Sequence, residues 1–209
     1  MNSQHFLQRR VHNQRVGVWR ALFLVWVVVA WAAQPSLAQR LIWLGTLGGF
    51  WSEAWGVSPD GSVVVGKALK PVWQWRAFRW TATRGMQDLG TLPGCDWSRA
   101  YGVSADGSIV VGWDQNDEGD SRPFRSTAAG RMQALCILSS GCQSEAFSVS
   151  ADGSVVVGVA QNSAGQPLAF RWTAAGGMQD LGTLSGYDNS VASGVSADGN
   201  VVVGWVYIP

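Results

Sequence analysis

Apolar and polar positions follow three different patterns along this 209-residue chain. Residues 1–20 are polar and basic, with Arg9, Arg10, Arg15 and Arg20 and no acid. Residues 21–33 (ALFLVWVVVAWAA) form an unbroken apolar run. Beyond residue 40 come short valine-rich runs bounded by glycine, such as Ser62-Val63-Val64-Val65-Gly66, Ser108-Ile109-Val110-Val111 and Ser154-Val155-Val156-Val157. Such runs suit strands buried on both faces. No 3.6-residue apolar spacing follows the first run, so helices should be nearly absent there.

The valine runs recur with a period. Ser-x-Asp-Gly ends at Gly61, Gly107, Gly153 and Gly199, and its aspartates Asp60, Asp106, Asp152 and Asp198 stand 46 residues apart. Ala77-Phe78-Arg79-Trp80, Pro123-Phe124-Arg125-Ser126 and Ala169-Phe170-Arg171-Trp172 keep the same interval. Leu-Gly-Thr-Leu begins at Leu44, Leu89 and Leu181, with a degenerate copy at Leu135-Cys136-Ile137-Leu138. A fixed period of this size signals a repeat architecture.

Each copy reads as four short strands. The first is like residues 76–81, the second like 86–92, the third like 54–57, and the fourth is the valine run. Asp-Gly between the third and fourth is a hairpin signal, because glycine accepts positive φ without steric cost. Thr173-Ala174-Ala175-Gly176-Gly177 turns the first strand into the second. Four antiparallel strands in about 45 residues is the size of a β-propeller blade. The expected fold is therefore all-β, a repeat array of four-stranded antiparallel sheets forming propeller-like blades, either partial or four-bladed. A β-solenoid with two coils per repeat is the alternative. Glycines in the third and fourth strands should let neighbouring strands or sheets approach closely.

Arg-Ala-Phe-Arg-Trp-Thr, Gly-Met-Gln-Asp-Leu-Gly-Thr-Leu and Gly-Val-Ser-Ala-Asp-Gly-Ser-Val-Val-Val-Gly resemble the bacterial extracellular HAF repeat, over about residues 41–205. The histidine that names the repeat is absent, and Arg76, Arg122 and Leu168 stand in its place. The resemblance implies an exported, surface-associated protein, joined in some relatives to autotransporter or sorting segments. It implies no defined activity.

The opening segment has the three regions of a secretory signal peptide, with small residues Ser36 and Ala38 before a cleavage point after residue 38. The alternative is a retained anchor, but the 13-residue apolar run is shorter than the roughly 20 residues a span needs. The expected organisation is a signal peptide at 1–38 and a repeat region at 39–209 holding about 3.7 repeats of 46 residues. Removing the leader turns a formal charge of +1 into −3, which argues against nucleic-acid binding. It also removes both histidines, His5 and His12, and with them any catalytic or zinc-binding imidazole. Cys95, Cys136 and Cys142 remain for an oxidising compartment. A Cys136–Cys142 bridge, a Cys95–Cys142 bridge and three free thiols are all compatible with their spacing, so the pairing is unknown.

By this phasing the mature chain opens on a second strand at Leu41 and stops just past a fourth, giving 15 strands. A further Ala-Phe-Arg-Trp would begin at residue 215, so a truncated or shortened array is expected. Its open blade faces favour self-association.

Candidate ligand-binding residues are the loop aromatics Phe50, Trp51, Trp97 and Tyr187, suited to stacking on sugar rings or anchoring a protein. Edge-covering packing is the alternative role. Asp114, Asn116 and Glu118 mimic the start of a calcium loop, but its twelfth position holds Arg125 rather than glutamate. A solvated acidic loop fits better, so no cofactor is expected and calcium is only a weak alternative. The four turn aspartates are explained by turn chemistry. Asp88 and Asp180 recur, but Trp43 and Ala134 replace them elsewhere; Glu53 and Glu145 align with Arg99 and Val191. No catalytic carboxylate pair is legible. The reading is an exported, non-enzymatic surface or binding module, extracellular or at the cell surface, with the periplasm an alternative. It would meet an unknown protein or glycan, with membrane contact only through the uncleaved leader. The rivals are a secreted lectin-like protein and, further off, a glycoside-type hydrolase.

Overall fold

The computed structural model describes residues 41–135 and 143–208. The signal-peptide expectation, Cys136 and Cys142 therefore lie outside the described residues. Fourteen strands and no helix occur among those described, and all fall in the unit Trp43–Pro209.

The strands form antiparallel meanders. The first blade is β1 (Ser52–Val57), β2 (Val63–Leu69), β3 (Trp75–Thr81) and β4 (Gly85–Asp88). The second is β5 (Trp97–Val103), β6 (Ile109–Gln115), β7 (Ser121–Thr127) and β8 (Met132–Ala134). The third is β9 (Ser144–Val149), β10 (Val155–Gln161), β11 (Pro167–Thr173) and β12 (Gly177–Asp180). A two-stranded sheet, β13 (Asn189–Val195) and β14 (Val202–Tyr207), follows.

The propeller-like, all-β expectation is thus met, with two corrections to its phase. Each sheet starts at the valine hairpin and takes the Ala-Phe-Arg-Trp strand third, and the strand expected to open at Leu41 is absent, which leaves 14 rather than 15 among the described residues. The second correction is that Leu-Gly-Thr-Leu is not strand. The chain breaks after Asp88 and Asp180 because each carboxylate accepts the N–H two residues on, from Gly90 (2.8 Å) and Gly182 (2.7 Å). Such aspartate turns compete with the ladder.

The valine strands are central and buried, as their composition requires. In β6, Ile109 to Asp114 are all buried. Phe78, Phe124 and Phe170 are fully buried on the neighbouring strands, each in register with a glycine: Gly66, Gly112 and Gly158. A Cβ on Gly112 would lie 1.9 Å from the Arg99 carbonyl oxygen, so the close approach expected of these glycines is real.

Sequence repeats become blade-to-blade bonds. Ser98 Oγ accepts the Ala77 N–H (2.8 Å) and donates to Gly90 O (2.7 Å). Ser190 does the same with Ala169 (2.8 Å) and Gly182 (2.6 Å). Arg79 and Arg125 donate Nε–H to the Gly107 and Gly153 carbonyls of the next turn. Within each Ser-x-Asp-Gly turn the serine hydroxyl and a backbone N–H bind the aspartate, as at Asp106 (2.6 and 2.9 Å). Those donors hold the Asp60, Asp106 and Asp152 carboxyls down to about 2.

Candidate functional site

The first strands of the blades carry one extra residue each. The register of β1 against β2 slips between Ala54 and Gly56, and that of β5 against β6 between Ala100 and Gly102. The third blade skips Phe147 in the same way, and the last hairpin skips Ser193. These are β-bulges, which re-aim side chains. The re-aimed residues meet across blades. Trp55 and Tyr101 stack with centroids 4.7 Å apart at 12°, and Tyr101 meets Phe147 edge-on at 5.6 Å.

Lys67 extends this strip outward. Its ammonium lies 5.0 Å from the Trp55 ring centre, 4.2 Å from that of Trp75, and 3.3 Å from Glu53 Oε2. Trp75 in turn meets Trp51 edge-on at 6.2 Å. Trp51 and Trp55 remain well exposed. The arrangement is an aromatic surface threaded by one cation, with geometry favourable to both ring–ring and cation–π attraction. Farther along, Arg99 sits over Trp113 at 4.7 Å. Burial pushes the Glu145 carboxyl up, and the nearby Arg99 opposes that shift.

The structure brings together two of the four expected ligand residues. Phe50 meets Trp73 edge-on at 5.3 Å, beside the Trp51–Trp75 pair. Trp97 opens β5 opposite Gln115, and Tyr187 stands on the loop before β13. Both are exposed without an aromatic neighbour among the described residues. Trp55, Tyr101, Trp73 and Trp75 were missed. The spacing of 46 residues between Trp55, Tyr101 and Phe147 was the available signal.

The calcium-loop alternative loses its geometry. Asp114 is fully buried within β6, where it accepts the Leu92 N–H. Asn116 instead spans its own turn, accepting from Asp120 N (2.8 Å), and Glu118 is at the exposed tip. No group of three or more metal-ligating side chains occurs among the described residues. Burial lifts the Asp114 carboxyl to about 7, against the pull of the Leu92 N–H, Arg122 and Arg76. Cys95 is a buried free thiol, with Arg122 Nη2 donating to its sulfur at 2.8 Å. Asp88 is paired with Lys70 at 3.1 Å, while Asp180 closes its turn in another blade.

A cavity of about 610 Å³ lies between repeated turns and is lined among others by Arg125, Arg171, Asp152 and Asp198. Its aspartates are already committed to turn bonds with Ser150 and Ser196. A smaller cup of about 290 Å³ is lined by Gly48, Gly49, Phe50, Lys70, Pro71 and Trp73.

No family model matches the chain, and no curated protein matches it. Solved structures do. The array is similar to TolB from Acinetobacter baumannii, at 15% identity and a TM-score of 0.56, over 74% of this chain and 37% of that one. It is equally similar to a protein designated TolB from Agrobacterium tumefaciens, at 19% identity and a TM-score of 0.56, over 73% of this chain and 53% of the other. This likeness establishes the propeller-type blade array. The chain spans about a third to a half of the length of these two proteins.

Proposed function

We propose that this chain is a non-enzymatic binding module of the HAF-repeat type, exported to the cell surface or beyond. Its recognition surface is the aromatic strip running from Trp51 through Trp75, Lys67, Trp55 and Tyr101 to Phe147. The strip carries the reading. Bulges on successive first strands aim side chains at one another, and Trp51 and Trp55 stay exposed where burial would have been the cheaper use of them. Aromatic side chains bring large contact area with little entropy to lose, which is why they anchor recognition surfaces. Asp88 and Asp180 serve local pairs and turns, which supports a binding role over hydrolysis. The basic, apolar and small-residue order of positions 1–38 supports export.

A photo-crosslinking amino acid at position 55 or 101, introduced in the producing cell, tests the surface. Covalent adducts are expected at both positions and not at position 60 on the Asp-Gly turn. Absence of adducts at 55 and 101, with the protein folded and abundant, would remove the strip as a recognition surface. Fractionation tests export separately: a processed protein starting at Gln39 is expected outside the cytoplasm.

A further inference from the structure

The loop joining the second and third strands has the same hydrogen bonds in all three blades. In the second blade Gly119 N–H donates to Asn116 O (3.1 Å) and Asn116 N–H to Asp120 O (3.1 Å). In the third, Gly165 donates to Asn162 (2.9 Å) and Asn162 to Gln166 (2.9 Å). In the first, Trp73 donates to Lys70 (3.1 Å) and Lys70 to Gln74 (2.9 Å). This three-residue loop needs a left-handed residue at its last position, normally glycine. Gly119 and Gly165 supply it with φ of 91° and 79°. Trp73 occupies it at 61° and is the sole non-glycine residue with positive φ among those described.

The residue that precedes the loop is altered as well. Asn116 and Asn162 use their side-chain oxygens to accept loop N–H groups. The Lys70 side chain, an ammonium with no acceptor, reaches Asp88 instead. The first blade therefore gives up both residues that suit the turn. Folding gains little in return, because Trp73 is 71% exposed and Phe50 beside it 67%. Left-handed bulky residues that bury nothing point to a functional constraint. Both replacements line the same 290 Å³ cup.

We propose that this cup is a binding subsite for one neutral pyranose ring of a glycan. The inference rests on the binding-module reading and names a ligand class for a site beside its strip. Exposed Trp73, with Phe50 at its edge, offers an apolar platform for the C–H face of a sugar. Lys70 lines the cup and supplies a donor, and its ion pair with Asp88 outside the lining offsets its charge, which suits hydroxyl groups and disfavours an ionic ligand. The cup's volume sits at the lower end of small-ligand pockets, which suits a single ring rather than an extended peptide.

The test uses the purified protein, titrated with methyl α-glucoside, methyl α-galactoside, methyl α-mannoside and cellohexaose by saturation-transfer NMR and calorimetry. Polygalacturonate and a proline-rich peptide serve as charged and peptidic controls. Binding to at least one neutral probe is expected, with at least a tenfold loss in Trp73→Gly. The same substitution should raise the melting temperature by a few degrees, because it restores glycine where the loop requires it. Lys70→Asn should weaken binding while leaving the fold intact. Binding unchanged by Trp73→Gly, binding only to a control, or no binding to any neutral probe would each overturn the sugar subsite. Adducts at positions 55 and 101 would then still support the wider strip, so the two readings fail separately.

Discussion

Asp114 allows a quantitative check on how the second blade is held. It occupies a place where the other two complete blades have Ala68 and Ala160, and its side chain is fully buried. Leu92 N–H donates to one oxygen, and the other has no partner among the described residues. Arg122 and Arg76 attract the charged form, but burial outweighs them and lifts the carboxyl from 3.8 to about 7. The folded protein thus holds this proton over a range in which the unfolded chain has released it. Stability is accordingly greatest below about pH 4 as far as this group is concerned, and falls as pH rises towards 7. About three pH units separate the two values, and each corresponds to about 1.4 kcal/mol, so the full loss is about 4 kcal/mol. The turn aspartates act in the opposite direction and lower down, losing their contribution as pH falls from 3.8 towards 2. Above pH 4.5 the raised Glu145 carboxyl acts in the same direction as Asp114, so the Asp114 effect is read as the difference between the wild type and a variant that keeps Glu145. Asp114→Asn keeps the acceptor for Leu92 and removes the charge. Urea unfolding between pH 4.5 and 7.5 should show wild-type stability declining more steeply with pH than that of the variant, with the variant ahead by about 2–4 kcal/mol at pH 7.5. Equal slopes for the two proteins would refute the assignment of a buried, proton-holding carboxyl to Asp114.

Other consequences follow from the blade junctions. Ser98→Ala should cost about 1–3 kcal/mol in urea unfolding, since it strands the buried Ala77 N–H. Ser144 occupies the equivalent place opposite Pro123, which has no N–H, so Ser144→Ala should cost clearly less; equal costs would contradict the proposed role of these serines. Gly112→Ala drives a Cβ to within 1.9 Å of the Arg99 carbonyl and should cost about 3 kcal/mol or prevent folding, whereas Gly119→Ala on the exposed loop, with no atom near its Cβ, should cost only its left-handed strain of about 1–2 kcal/mol. Thermal or urea denaturation of the two purified variants checks the order.

The fold was legible because each blade repeats chemistry that has only one use. Valine runs between glycines, and Asp-Gly after a serine, specify buried hairpins locally. The phase of the blades was not legible. Sequence shows that Phe78 and Gly66 recur together but not that they sit in register across one sheet, because strand neighbours are decided by long-range packing. Nor do the residues themselves show that Leu-Gly-Thr-Leu leaves the ladder. The Asp88 and Asp180 side chains take over the next N–H groups, and that competition becomes visible only with the backbone in place.

The proposed binding surface was half legible for a related reason. Phe50 and Trp51 were recognisable as loop aromatics from their position between strand motifs. Trp55 and Tyr101 lie inside strands, where alternation would have assigned them to a packed face. A single extra residue in each first strand changes that, since a one-residue slip redirects a side chain across the sheet. Trp73 is more instructive still. Nothing about a tryptophan beside proline and valine is unusual in isolation. Its meaning comes from the loops of the neighbouring blades, where Gly119 and Gly165 occupy the same position with positive φ. A repeat protein contains its own control experiment: each copy reports what the backbone alone would prefer, and a departure that costs strain and buries nothing marks where another requirement acts.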